Sequence, residues 1–205
     1  MPEVNILEDY PQPTAPRFVG RDMRAISHRI AAIKRDRNFF DGDRNFGYGG
    51  FKYDGRWVPI AERIIKHYKL ESSSRLLHLN CEKGFLINDL KNIRPSLQVA
   101  GTETSDYAIA HAMKEIKDTI TKISSIKLPF PNNSFNLVIG LSYVYIHSLK
   151  GAIQALKEIT RVSTGDAFIT LATYETEEDY FLFKDWTLLG ILLLKKEEWI
   201  TVMEH

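Results

Sequence analysis

Two hydrophobic rhythms alternate along most of the chain. Short, nearly unbroken apolar runs read as strands buried on both faces: "RLLHLN" at 75–80, "LQVAGTE" at 97–103, "FNLVIGLS" at 135–142 and "DAFITLATY" at 166–174. Between them, apolar residues recur every three or four positions, as on one face of a helix. Such stretches cover about 84–93, then Ala108, Ile109, Ala112, Met113 and Ile116 behind an N-cap at Ser105, then "LKGAIQALKEITRV" at 149–162. "PIAERIIKHYKL" adds an earlier helix, with Pro59 in its first turn and Ile60, Ile64 and Tyr68 in one stripe. A short strand is expected near 121–126, followed by the turn-rich "LPFPNNSF". Near the end, "ETEEDY" begins a helical piece, "WTLLGILLL" forms a core segment and "KKEEWITVMEH" a closing helix. Strands alternating with helices at this spacing predict an α/β protein, a mostly parallel twisted sheet with helices on both faces.

Upstream the rhythm breaks. Residues 1–19 hold Pro2, Pro11, Pro13 and Pro16 and read as an extended or mobile arm. From Arg21 to about Arg37, Met23, Ile26, Ile30 and Ile33 return at helical spacing among Arg21, Arg24, Arg29, Lys34, Arg35 and Arg37. This is either a helix with a solvated charged face or an anion-attracting rim over a cleft. Then "FFDGDRNFGYGGFKYDGRW", residues 39–57, mixes five glycines with aromatics and charges. An irregular stretch of that length is usually functional, with glycine for tight turns and aromatics for flat contact. It is expected to be a lid, with Asp41, Asp43, Tyr53 and Trp57 facing an acceptor, or else a structural wrap. The expected division is residues 1–56 as arm, basic helix and lid, and 57–205 as the α/β domain.

Composition narrows the field. Apolar residues at 44% and charged residues at 26% of 205 describe a soluble globular chain, and a formal net charge of +1 demands neither nucleic acid nor a membrane surface. The longest apolar run is far short of the roughly twenty residues that span a bilayer. The single cysteine, Cys81, excludes an internal disulfide and fits a reducing, cytoplasmic setting; the N-terminus lacks a signal-peptide pattern. No Cys/His/Asp spacing suggests a metal site, and no phosphate-loop or nucleophile-elbow motif is present.

In an open parallel sheet, the turn after the first strand and an acid ending the second make a nucleotide site, and Glu103 lies about twenty residues beyond that turn. The ordered segments "RLLHLNCEKGFLINDL", "VAGTETSDYAIAHA", "LPFPNNSFNLVIGLSYVYIH" and "ALKEITRVS…AFITLATY" resemble the class I S-adenosylmethionine-dependent methyltransferases over roughly residues 57–205. "GYGGFKYDGRW" also looks like the N-terminal extension of one bacterial subgroup. The resemblance implies a Rossmann-like fold binding S-adenosylmethionine. The turn at His78, Asn80, Glu82 and Gly84 would hold the methionine end, Glu103 with Thr104 the ribose, the region of Ser124 the adenine, and the residues after strand four the methyl-transfer site. There His147 is the best-placed general base and Tyr143 a pocket wall.

Against the family's acid-x-Gly-x-Gly-x-Gly turn, only Gly84 is kept; Ser124 and Asn136 replace two acids, and Glu103 remains. Asn80 tolerates positive φ, whereas a carboxylate at Glu82 about 4 Å from the cofactor's own would cost on the order of 4 kcal/mol. The family also closes with a hairpin strand; six strands rather than seven are expected here, with a homo- or hetero-oligomeric partner covering the edge. Two functions stay open: a methyltransferase for a small-molecule or sugar-type acceptor, and a catalytically silent relative serving as partner or scaffold. An NAD-dependent oxidoreductase is disfavoured because no G-x-G-x-x-G is present.

Overall fold

A computed structural model describes residues 3–11, 20 and 23–205. Five strands, β1 (Arg75–Leu79), β2 (Gln98–Glu103), β3 (Ile120–Lys122), β4 (Phe135–Gly140) and β5 (Ser163–Ile169), form one parallel sheet in the order β3-β2-β1-β4-β5. The winding reverses at β1, so the crevice beyond the carboxyl ends of β1 and β4 is where this topology binds ligands.

Alternate strand residues feed two cores. On one face Leu77, Leu79 and Val138 pack with Ala152, Ala155 and Ile159 of helix α6 (Leu149–Val162) and with Trp199 of α8 (Lys196–Glu204). On the other, Leu76, Leu137 and Ile139 meet Ile60 and Ile64 of α3 (Val58–His67) and Leu86 and Leu90 of α4 (Phe85–Ile93). The remaining helices are α1 (Ile26–Ile33), α2 (Arg37–Asp41), α5 (Asp106–Ala110) and α7 (Glu177–Trp186).

Several expectations are corrected. The basic helix is two short ones, α1 and α2, separated by Arg35 at φ 46. Its periodic Ile26, Ile30 and Ile33 face solvent at 72%, 55% and 69% exposure, and Ala32 is the buried residue. Part of the proline-rich arm is anchored: Ile6 is buried in the α3 core and Asp9 pairs with Arg63. Residues 1–2 and 12–19, like Arg21, lie outside the described residues. The long helix after Ser105 stops as α5, because Met113 N–H bonds the carbonyl of Lys83 (3.0 Å) and not the helix. In place of a sixth strand, "LLL" at 192–194 contributes one parallel bridge, Thr173 to Leu194. No helix among the described residues is long and apolar enough to cross a membrane.

Candidate functional site

The turn between β1 and α4 keeps the backbone shape that glycines usually supply. Asn80, Glu82 and Gly84 all have positive φ, at 54°, 57° and 76°. A Cβ at Gly84 would lie 2.3 Å from Ile116 Cδ1, so a side chain there would have to displace that buried isoleucine. Cys81 N–H ties the turn to the carbonyl of Thr102 (2.9 Å). Leu79 pairs with Thr102, so Glu103, ending β2, stands beside the turn.

Glu103 is fully buried. Its Oε1 accepts from the N–H groups of Thr104 (2.8 Å) and Ser105 (2.9 Å), and its Oε2 from the N–H of Glu82 (2.8 Å). Both oxygens also receive Arg35 Nη2 at 3.1 Å. Burial opposes the Arg35 charge, but Glu103 and Glu82 outweigh it and raise its pKa. The turn's other side chains are engaged from the same direction. Tyr48 donates to Glu82, Tyr53 donates to Asp89 of α4, and Lys83 reaches Asp41 (2.7 Å) and the carbonyl of Phe51 (2.8 Å) amid Phe40, Phe51 and Tyr107.

The lid candidates are each engaged by the protein itself, though Asp43 and Tyr53 stay exposed. Asp41 is occupied by Lys83, Tyr107 and Phe51 N–H; Asp43 accepts from Asn45 N–H within its own loop; Trp57 caps α3 and packs on Tyr10. His78 is buried in β1 with both ring nitrogens unpartnered among the described residues, and burial lowers its pKa to about 4. Thr104 caps Glu103, and Ser124 is exposed just past β3. Beyond β4, Tyr143 sits edge-on to His147, with centroids 5.3 Å apart. Burial lowers the His147 pKa, and burial together with Glu158 pushes Tyr143 up to about 12; His147 Nε2 has no partner among the described residues.

Sequence reading overlooked Arg35, Tyr48, Lys83 and Asp89 as individual site residues. Lys83 carried no clear signal, because it stands in the mixed turn "NCEKG", where a charged side chain reads as solvated.

Burial, offset in part by Arg35 and Tyr48, raises the half-buried Glu82 carboxyl to about 7. A pKa raised on folding adds stability at low pH. This contribution is complete below about 4.5 and is lost as pH rises through about 7. His78, neutral when folded, acts oppositely between about 4 and 6.5. Comparing wild type with Glu82→Gln in urea unfolding from pH 5 to 7 isolates the first effect. The substitution should remove a decline of up to about 1 kcal/mol per pH unit. Parallel curves would place Glu82 in solvent.

Residues 77–170 match the family described as "Methyltransferase domain". The match covers a little under half of the chain and takes in the turn after β1, Glu103 and β4. Solved structures with the same fold include YcgJ of Bacillus subtilis (16% identity over 69% of this chain and 64% of that one, TM-score 0.55). A Haloferax volcanii chain in complex with the Trm112 methyltransferase activator matches at 16% identity over 74% and 71%, TM-score 0.55. The [4+2]-cyclase SpnF matches at 18% over 71% and 54%, TM-score 0.54. The chain spans less than two thirds of YcgJ and of SpnF, and such likeness establishes the fold. No curated protein sequence matches.

Proposed function

We propose that this chain is an S-adenosylmethionine-dependent methyltransferase acting on a small-molecule or sugar-type acceptor. The carrying observation is Glu103: it survives at the end of β2 with its carboxylate against the N–H of Glu82, at the β1 turn where a nucleoside site belongs. The positive-φ backbone at 80, 82 and 84 fits that ligand in shape. Glu103 would hold the ribose diol with Thr104 beside it, the turn backbone the methionine end, and Ser124 would border the adenine. The cofactor supplies the methyl group. His147, whose pKa burial lowers, would take the acceptor's proton, with Tyr143 as its wall. The cytoplasmic setting and the division at residue 57 belong to the same proposal.

A second reading, a silent relative acting through a partner, is favoured by the Glu82 side chain and Arg35 standing at the turn. The Haloferax neighbour's activator complex makes a partner at the sheet edge worth testing.

Calorimetric titration with S-adenosylhomocysteine separates the two. Saturable binding is expected, and Glu82→Gly, which removes a carboxylate from the ligand's path, should bind at least about tenfold tighter, or about 1.4 kcal/mol. No binding by either protein at millimolar ligand points to the silent relative.

A further inference from the structure

The carboxylate that would grip a ribose has its donors already. Three backbone N–H groups and the Arg35 guanidinium converge on Glu103, which has no exposed surface, so a diol cannot reach it while Arg35 stays. We propose that Arg35 is a built-in competitor for the cofactor: it latches the site shut, and α1 must swing away before a nucleoside binds. This rests on the methyltransferase reading and adds a closed state to it.

The latch is assembled from several directions. Ser105 Oγ donates to the Arg35 carbonyl, and the guanidinium lies 5.3 and 5.5 Å from the ring centroids of Phe39 and Phe40. Arg35 holds φ 46, a left-handed backbone that is strained for a non-glycine residue and persists where its surroundings impose it.

The two sides of Arg35 are anchored unequally. Below it, α2 and the following loop are fixed by buried Phe39 and Phe40 and by Lys83–Asp41. Above it, α1 buries Ala32 and exposes its three isoleucines. Arg24 and Arg29 tether it to α7 through the backbone carbonyls of Trp186 and Lys184. Few buried apolar contacts mark a segment that opens at low cost. Asp36, in extended backbone as the N-cap of α2, is the natural pivot, so α1 can carry Arg35 off Glu103 while α2 stays docked.

The test pairs binding with hydrogen exchange. Arg35→Ala should bind S-adenosylhomocysteine at least tenfold tighter than wild type. In the ligand-free variant, amides of residues 26–35 should exchange faster. Wild-type protein should show the same faster exchange when the ligand is added, a readout that needs no variant. Equal, measurable affinities for wild type and Arg35→Ala overturn the latch and leave the enzyme reading standing. A folded Arg35→Ala protein that binds nothing at millimolar ligand overturns both.

Discussion

Replacing Glu103 by alanine is expected to destabilise the ligand-free protein by about 3–5 kcal/mol, the usual cost of removing one member of a buried ion pair. The loss has two parts. The Arg35 side chain, 11% exposed, is left as an uncompensated charge among Phe39 and Phe40. The N–H groups of Glu82, Thr104 and Ser105 lose their acceptor, and each buried orphan costs about 1–3 kcal/mol unless water replaces it. Glu103→Gln should cost less, because its amide oxygen still accepts from one side. Urea unfolding gives the comparison. Alanine and glutamine variants of equal, near-wild-type stability would show that Glu103 is not a junction of the fold. Ligand binding should fail in the alanine variant even where it stays folded.

Trp199→Ala is expected to cost a similar amount, about 3–5 kcal/mol, for a different reason. Trp199 is 1% exposed in the α6 core, and its Nε1 donates to the carbonyl of Ala172 at 2.8 Å. Removing it leaves a cavity, takes from the Ala172 carbonyl the shorter of its two hydrogen bonds and leaves only the 3.5 Å bond from Leu194 N–H, and loosens α8 next to the Thr173–Leu194 bridge. The turn at Asn80–Gly84 is built from other contacts. Thermal or urea midpoints should therefore drop sharply while the S-adenosylhomocysteine affinity of the folded fraction is unchanged. A parallel fall in affinity would mean that the α8 packing shapes the site.

The frame was legible because burial on both faces writes itself as unbroken apolar runs. β1, β2 and β4 follow "RLLHL", "QVAGTE" and "FNLVIG", and α6 occupies the whole of "LKGAIQALKEITRV". Glu103 was legible by its place after β2. What periodicity could not show is the direction a stripe faces. Ile26, Ile30 and Ile33 have the spacing of a core face, yet no layer lies over them among the described residues. Nor could it show that the odd residues in two distant segments answer one another: Tyr48 meets Glu82, Asp41 meets Lys83 and Arg35 meets Glu103, at separations of 34, 42 and 68 residues. Glu82, taken alone, reads as an obstacle to a ligand. Beside Tyr48 and Arg35 it is one member of a closure.

The tether of α1 to the carbonyl of Trp186 gives the molecule a native optical reporter. Of its three indoles, Trp57 lies tilted against Tyr10 and Trp199 is enclosed. Trp186, 39% exposed at the end of α7, holds the moving strap through its backbone carbonyl. Departure of that strap should redden and quench its emission, so each exchange of Arg35 for a nucleoside can be timed in a stopped-flow fluorimeter without a dye.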